Sequence, residues 1–123
     1  MNDQIYTTEQ IKNILTPIFQ AYNIQRAILF GSYAKGTPQN NSDIDILVDS
    51  GLHGLAFYGL LEDVVTSLNK SVDLIDCTEI IPDSAIDSEI KKNGVLIYLY
   101  KKPDFFNSME TNIWYEKPYC TWI

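Results

Sequence analysis

Two aspartates, Asp43 and Asp45, stand two residues apart in the run SDIDILV, and a Gly31-Ser32 pair precedes them across a ten-residue spacer. In an extended strand, residues two apart project from the same face, with about 6.5–7 Å between their Cα atoms. Ile44 and Ile46 would then face a core on the other side. Two carboxylates held this way can share one Mg²⁺, or flank a pair of ions about 3.5–4 Å apart. A third aspartate, Asp73, lies inside another apolar run, Val72-Asp73-Leu74-Ile75. Aspartate is depleted from strands, so three of them in strand-like segments of a short chain call for a reason. A lone D-x-D in an acidic chain is most often a solvated strand face, and a Gly-Ser after a strand is most often a turn. The ordered combination of the two with a further strand aspartate is more specific than any part of it.

The segment GSYAKGT, residues 31–37, raises a competing possibility. A P-loop needs G-x-x-x-x-G-K-[ST], in which the lysine reaches the β/γ phosphates and the hydroxyl binds magnesium. Gly31 and Gly36 have that separation, but Thr37 stands where the lysine belongs and Lys35 precedes the second glycine. The P-loop is therefore rejected. The dinucleotide fingerprint G-x-G-x-x-G is absent as well, since Ser32 and Tyr33 follow Gly31.

The elements that must position these residues follow from local pattern. Thr7 and Gln10 have capping-box spacing, and apolar residues recur from Ile11 through Ile14, Leu15, Ile18 and Phe19 to Tyr22, one face of a helix that Pro17 should interrupt or kink. The run Ala27–Phe30 reads as a buried strand stopped at Gly31. Residues 32–42 read as loop with at most one helical turn, and Asp43–Val48 as a second strand. Leu55, Tyr58, Leu61, Val64, Val65 and Leu68 mark a second amphipathic helix; Val72–Ile75 is a third strand. Ile86 and Ile90 suggest a short helix ended by Asn93-Gly94, before a last strand over Val95–Tyr100. The expected fold class is therefore α/β (α+β), a small mixed sheet with helices packed on it.

Composition is consistent with one such domain. The chain has 123 residues, 46% of them hydrophobic, which suits a globular unit and is too apolar for disorder. No stretch approaches the ~18 uninterrupted apolar residues of a membrane span. The first residues, MNDQIYTTEQ, carry no basic n-region or apolar core of a secretory signal. Cys77 and Cys120 lie far apart, forming no CxxC pair and no disulfide framework, so a cytoplasmic location is expected. The formal charge of −7 argues against direct nucleic-acid binding, which needs clustered cations. It leaves nucleotide binding open, because a metal ion can bridge acidic side chains to phosphates. His53 falls outside the motif and reads as a surface loop residue.

With Gly31-Ser32, the spacer and Asp43-Ile44-Asp45 in place, the chain resembles the DNA polymerase β-like nucleotidyltransferases, and within them the minimal nucleotidyltransferase (MNT) domains. The resemblance runs from about Ile11 to Tyr100 and includes the VDLID and GVLIY segments. It implies that Gly31, Ser32 and nearby N–H groups hold the β/γ phosphates of ATP. Asp43 and Asp45 would hold Mg²⁺ (or Mn²⁺) against them. Asp73 matches the family's third carboxylate, which would bind a second ion near the attacking hydroxyl or accept its proton. Lys35 stands where the family is often basic, and could neutralise phosphate charge or simply be an exposed loop lysine. The implied reaction is attack on the α-phosphate with pyrophosphate leaving.

A nucleotidyltransferase also needs an acceptor, and residues 1–102 as the catalytic domain leave little chain to enclose one. Family members of this size are commonly paired with a HEPN-domain toxin. The resemblance thus implies an antitoxin that transfers AMP from ATP to a tyrosine of its partner. The alternatives are transfer to a small hydroxylated metabolite, and a binding antitoxin that needs no catalysis; self-association is compatible with any of these. Residues 103–123 lie outside the resemblance and form an aromatic-rich tail, with Phe105, Phe106, Trp114, Tyr115 and Trp122. Large aromatics are typical interface anchors. Truncation after Lys102 is expected to lower solubility, thermal stability or partner affinity, and a truncated chain equal to the full one in all three would show the tail to be idle.

Overall fold

The computed structural model of the chain describes residues 4–100. The first helix, α1 (Thr8–Ala21), begins at the predicted capping box: the Thr7 hydroxyl accepts from Gln10 N at 3.1 Å, and Gln10 Oε1 accepts from Thr7 N at 2.8 Å. It buries Ile11, Leu15 and Phe19. Contrary to the expected interruption, α1 continues through Pro17. Pro17 and Asn13 are both exposed, so the Asn13 carbonyl that loses its helical partner can turn to water.

The strands are β1 (Arg26–Phe30), β2 (Ile44–Asp49), β3 (Val72–Asp76) and β4 (Val95–Leu99), in the sheet order β3-β2-β1-β4. β1 is antiparallel to both β2 and β4, while β2 and β3 are parallel. A parallel pair needs a long crossover, and α3 (Leu55–Leu68) supplies it. The remaining helices are the single-turn α2 (Gly31–Lys35), directly after β1, and α4 (Ala85–Asn93), which precedes β4. This is the expected mixed sheet with helices, and α2 is the single turn expected within the loop.

The sheet has two unequal faces. On one, Ile44, Ile46 and Leu29 pack with Leu15, Phe19, Leu60 and Val64 from α1 and α3 in the main core. On the other, Ile28, Phe30 and Leu47 meet Ile90 of α4 in a smaller cluster. Alternation along β2 sends Ile44 and Ile46 to the first face and Asp45 and Leu47 to the second. The site therefore shares a face with α4.

Two sequence expectations shift. Asp43 lies one residue ahead of β2, which starts at Ile44. In α3 the buried residues are Leu60, Val64 and Leu68, whereas Leu55 and Tyr58 are 89% and 64% exposed. The run LAFYGLL is apolar on nearly every side, so its period does not single out a face. Packing against α1 chooses one, with the Tyr22 hydroxyl donating to Asp63 Oδ2 at 2.6 Å. No helix among the described residues is long and apolar enough to cross a membrane. The aromatic tail and Cys120 lie outside the described residues.

Candidate active site

Gly31 opens α2 at φ +72°, in the left-handed region that side chains rarely adopt. A Cβ built there would collide with Asp45 Oδ2 and lie 3.1 Å from Asp45 Cγ. The absence of a side chain is what lets the Asp45 carboxylate lie against the Gly31 backbone. Strand register creates this contact, because Phe30 pairs with Asp45 across the β1–β2 ladder and Gly31 follows Phe30. Gly31→Ala should therefore both strain the backbone and displace Asp45. We expect at least a tenfold loss of metal-dependent ATP binding with the fold retained, measured by calorimetry and circular dichroism. Wild-type affinity in that variant would separate Gly31 from the site.

The parallel β2–β3 register sets Asp73 directly beside Asp45, on strands about 4.8 Å apart. Asp43, one turn of the pleat before Asp45, brings the third charge. Burial raises the Asp45 pKa to about 6, and the charges of Asp73 and Asp43 add to the effect. The other two predicted carboxylates thus both act on Asp45 at one end of the sheet.

The segment leading into Asp43 is tied down. Ser42 Oγ accepts from Gln39 N at 2.9 Å, and Lys70 Nζ donates to the Asn40 carbonyl at 3.1 Å. α2 ends at Gly36, where Thr37 N donates to the Ser32 carbonyl at 3.1 Å. Ser32 lies in the first turn of α2, partly buried and next to Gly31. Lys35 is turned toward α4, its Nζ 3.4 Å from Glu89 Oε2. Glu89 was missed at the sequence level; it lies more than fifty positions away, with no motif to mark it.

The segment VDLID has two aspartates, and the structure separates them. Asp76 is buried and accepts from Ser50 N and Oγ at 3.1 and 2.6 Å and from Thr78 N and Oγ1 at 3.1 and 2.6 Å. Burial pushes its pKa up, but these hydrogen bonds outweigh burial and hold it below the usual carboxylate range. Asp76 anchors the chain reversal after β3. Asp73 is exposed and lies in register beside Asp45.

The donor set suits a hard divalent cation, since every candidate ligand is a carboxylate oxygen. The mutual repulsion at Asp45 is what a cation there would relieve. Among the described residues no three acidic, histidine or cysteine side chains converge into a closed metal cage. Mg²⁺ is usually held by one or two carboxylates with substrate phosphates completing its shell.

The family model "Polymerase beta, Nucleotidyltransferase" matches residues 9–103. A Methanocaldococcus jannaschii protein described as a candidate protein adenylyltransferase is 36% identical over 76 residues, 59% of this chain and 81% of its own length. The Shewanella oneidensis protein adenylyltransferase MntA is 42% identical over 55 residues, 43% of this chain and 40% of that one. A crystal structure of a toxin–antitoxin with AMP-PNP superposes with a TM-score of 0.62 at 26% identity, covering 85% of this chain and 86% of that one. With a family model matching most of its length, the chain belongs to the polymerase beta nucleotidyltransferase family.

Proposed function

We propose that this nucleotidyltransferase is a protein adenylyltransferase that acts as an antitoxin, moving AMP from ATP to a tyrosine of a HEPN-type toxin. The observation that carries the reading is Asp45 seated against the bare Gly31 backbone with Asp73 in register beside it. Support comes from relatives named for protein adenylylation and from the shared fold of a toxin–antitoxin structure that holds an ATP analogue. The family generally uses a divalent metal and a nucleoside triphosphate. When bound, Mg²⁺ (or Mn²⁺) would neutralise phosphate charge at the reacting centre, with Asp43 and Asp45 as its ligands.

The chain's own groups have separate tasks in this reading. Gly31 gives the triphosphate close backbone approach, and the Ser32 hydroxyl with neighbouring N–H groups holds the β/γ phosphates. Lys35, one helical turn further along α2, contributes a cation. Asp73 faces the incoming hydroxyl and either takes its proton or helps hold a second ion. A bond forms between the tyrosine oxygen and the α-phosphorus. The bond from that phosphorus to the α–β bridging oxygen breaks, and pyrophosphate leaves with its electron pair.

Residues 1–102 act as the catalytic unit and residues 103–123 as an appendage to it. A protein acceptor suits the net charge of −7 better than a polynucleotide, whose phosphates it would repel. A cytoplasmic setting fits an enzyme that consumes ATP. The test is intact-mass analysis of the HEPN-type protein encoded next to this chain, co-expressed with the wild type or with Asp43→Asn. One or more AMP units on a tyrosine with the wild type only is the expected outcome. An unmodified partner that the variant still neutralises would favour a binding antitoxin instead.

A further inference from the structure

Lys35 closes the single turn of α2 that Gly31 opens, so it flanks Gly31 at about one helical turn's distance. The bare side of Gly31 faces Asp45. A lysine on that flank has a four-carbon stem and a compact charge, enough to reach a triphosphate lying along Gly31 and Ser32. Its ammonium group is instead 3.4 Å from Glu89 Oε2, and the same oxygen accepts from Asn93 Nδ2 at 3.3 Å.

The two partners are held very differently. Glu89 belongs to α4, whose start is capped by Ser84 Oγ accepting from Asp87 N at 3.2 Å. Asp87 in turn accepts from Asp83 N at 2.8 Å and pairs with Lys91 at 3.1 Å. Ile90 is buried against Ile28, Phe30 and Leu47. At the helix end, a Cβ on Gly94 would lie 2.9 Å from Ile28 Cγ2, so α4 is packed close against β1. The Glu89 side chain is 27% exposed and that of Lys35 is 47% exposed. Glu89 is therefore the fixed half of the pair, and Lys35 is the half that can swing.

We propose that Glu89 is a positioning residue that competes with the triphosphate for Lys35, so that ATP binding must break the Lys35–Glu89 pair. The proposal rests on the reading of Gly31 and Asp45 as the nucleotide site. The pair parks the ammonium beside the site rather than on the aspartates, and triphosphate, with several negative charges against the one of Glu89, draws it across. Glu89 thereby sets ATP affinity without touching the nucleotide.

Calorimetric titration of the full chain with ATP and Mg²⁺ tests this on wild type, Glu89→Gln, Lys35→Met, the double variant and Asp45→Asn. An exposed ion pair contributes up to about 1 kcal/mol, so Glu89→Gln should tighten ATP binding by roughly twofold to fivefold. Lys35→Met should weaken it, and in that background Glu89→Gln should change Kd by less than about 1.5-fold, because its effect acts through the lysine. Weaker or unchanged binding in Glu89→Gln, or an equal change with and without Lys35, overturns the proposal. Unchanged metal-dependent binding in Asp45→Asn would remove the nucleotide site itself and the proposal with it. Lost binding there, with no effect of Glu89→Gln, would remove the competition alone.

Discussion

Asp45→Asn should lose about 10²-fold or more in turnover, the scale for removing a principal electrostatic stabiliser, and yet make the metal-free protein harder to unfold at pH 7. The two effects have one cause. Asp45 is pushed to a pKa of about 6 by burial and then by Asp73 and Asp43, from an ordinary value of 3.8. A carboxyl with a raised folded-state pKa favours the folded state while protonated, below its unfolded value. That contribution is lost as pH rises through about 6. Asparagine never ionises, so its gain in Tm should be present at pH 7 and vanish toward pH 4. Adding Mg²⁺ with ATP should raise the Tm of the wild type and not of the variant, because only the former is expected to bind them. Thermal melts across pH 4–8 beside turnover measurements check both halves. A variant within tenfold of wild-type turnover, or less stable than wild type at pH 7, would contradict this account.

The second large effect belongs to Asp73. It sits level with Asp45 in the parallel register but is exposed, on the outer side of the cluster. Asp73→Asn should leave triphosphate binding within a fewfold of wild type and cut transfer by about 10²–10⁴, the range for a lost general base. It should also let Asp45 ionise more easily, since the Asp73 charge is the larger of the two neighbouring carboxylate effects on it. Calorimetry and single-turnover assays, run at several pH values, separate binding from transfer. Wild-type transfer in the variant would leave Asp73 as a residue of the strand only.

Much of the candidate site's geometry is legible in the sequence because its logic is local. A strand puts Asp45 on one side and Ile44 and Ile46 on the other, with both isoleucines fully buried and Asp43 just ahead of the strand. Gly31 marks a left-handed start to α2, and its fixed spacing from Asp45 becomes a direct contact. What eludes the sequence depends on packing between distant segments. Within VDLID, only the contacts from Ser50 and Thr78 separate the anchoring Asp76 from the available Asp73. The core face of α3 is hidden by an apolar run with no clear period, which α1 resolves by contact. The partner of Lys35 comes from α4, fixed by how that helix crosses the sheet and by nothing in the GSYAKGT segment itself. The continuity of α1 through Pro17 likewise depends on which side of the helix meets solvent.

The most direct test of nucleotidyl transfer follows the two ends of ATP separately. The purified chain and its proposed HEPN-type partner are incubated with Mg²⁺ and ATP labelled either at the α- or at the γ-phosphate. The account predicts α-label on a partner tyrosine, γ-label released as pyrophosphate, and neither with Asp43→Asn or Asp45→Asn. Label arriving from the γ-phosphate, or a partner left unlabelled by the wild-type chain, would contradict it.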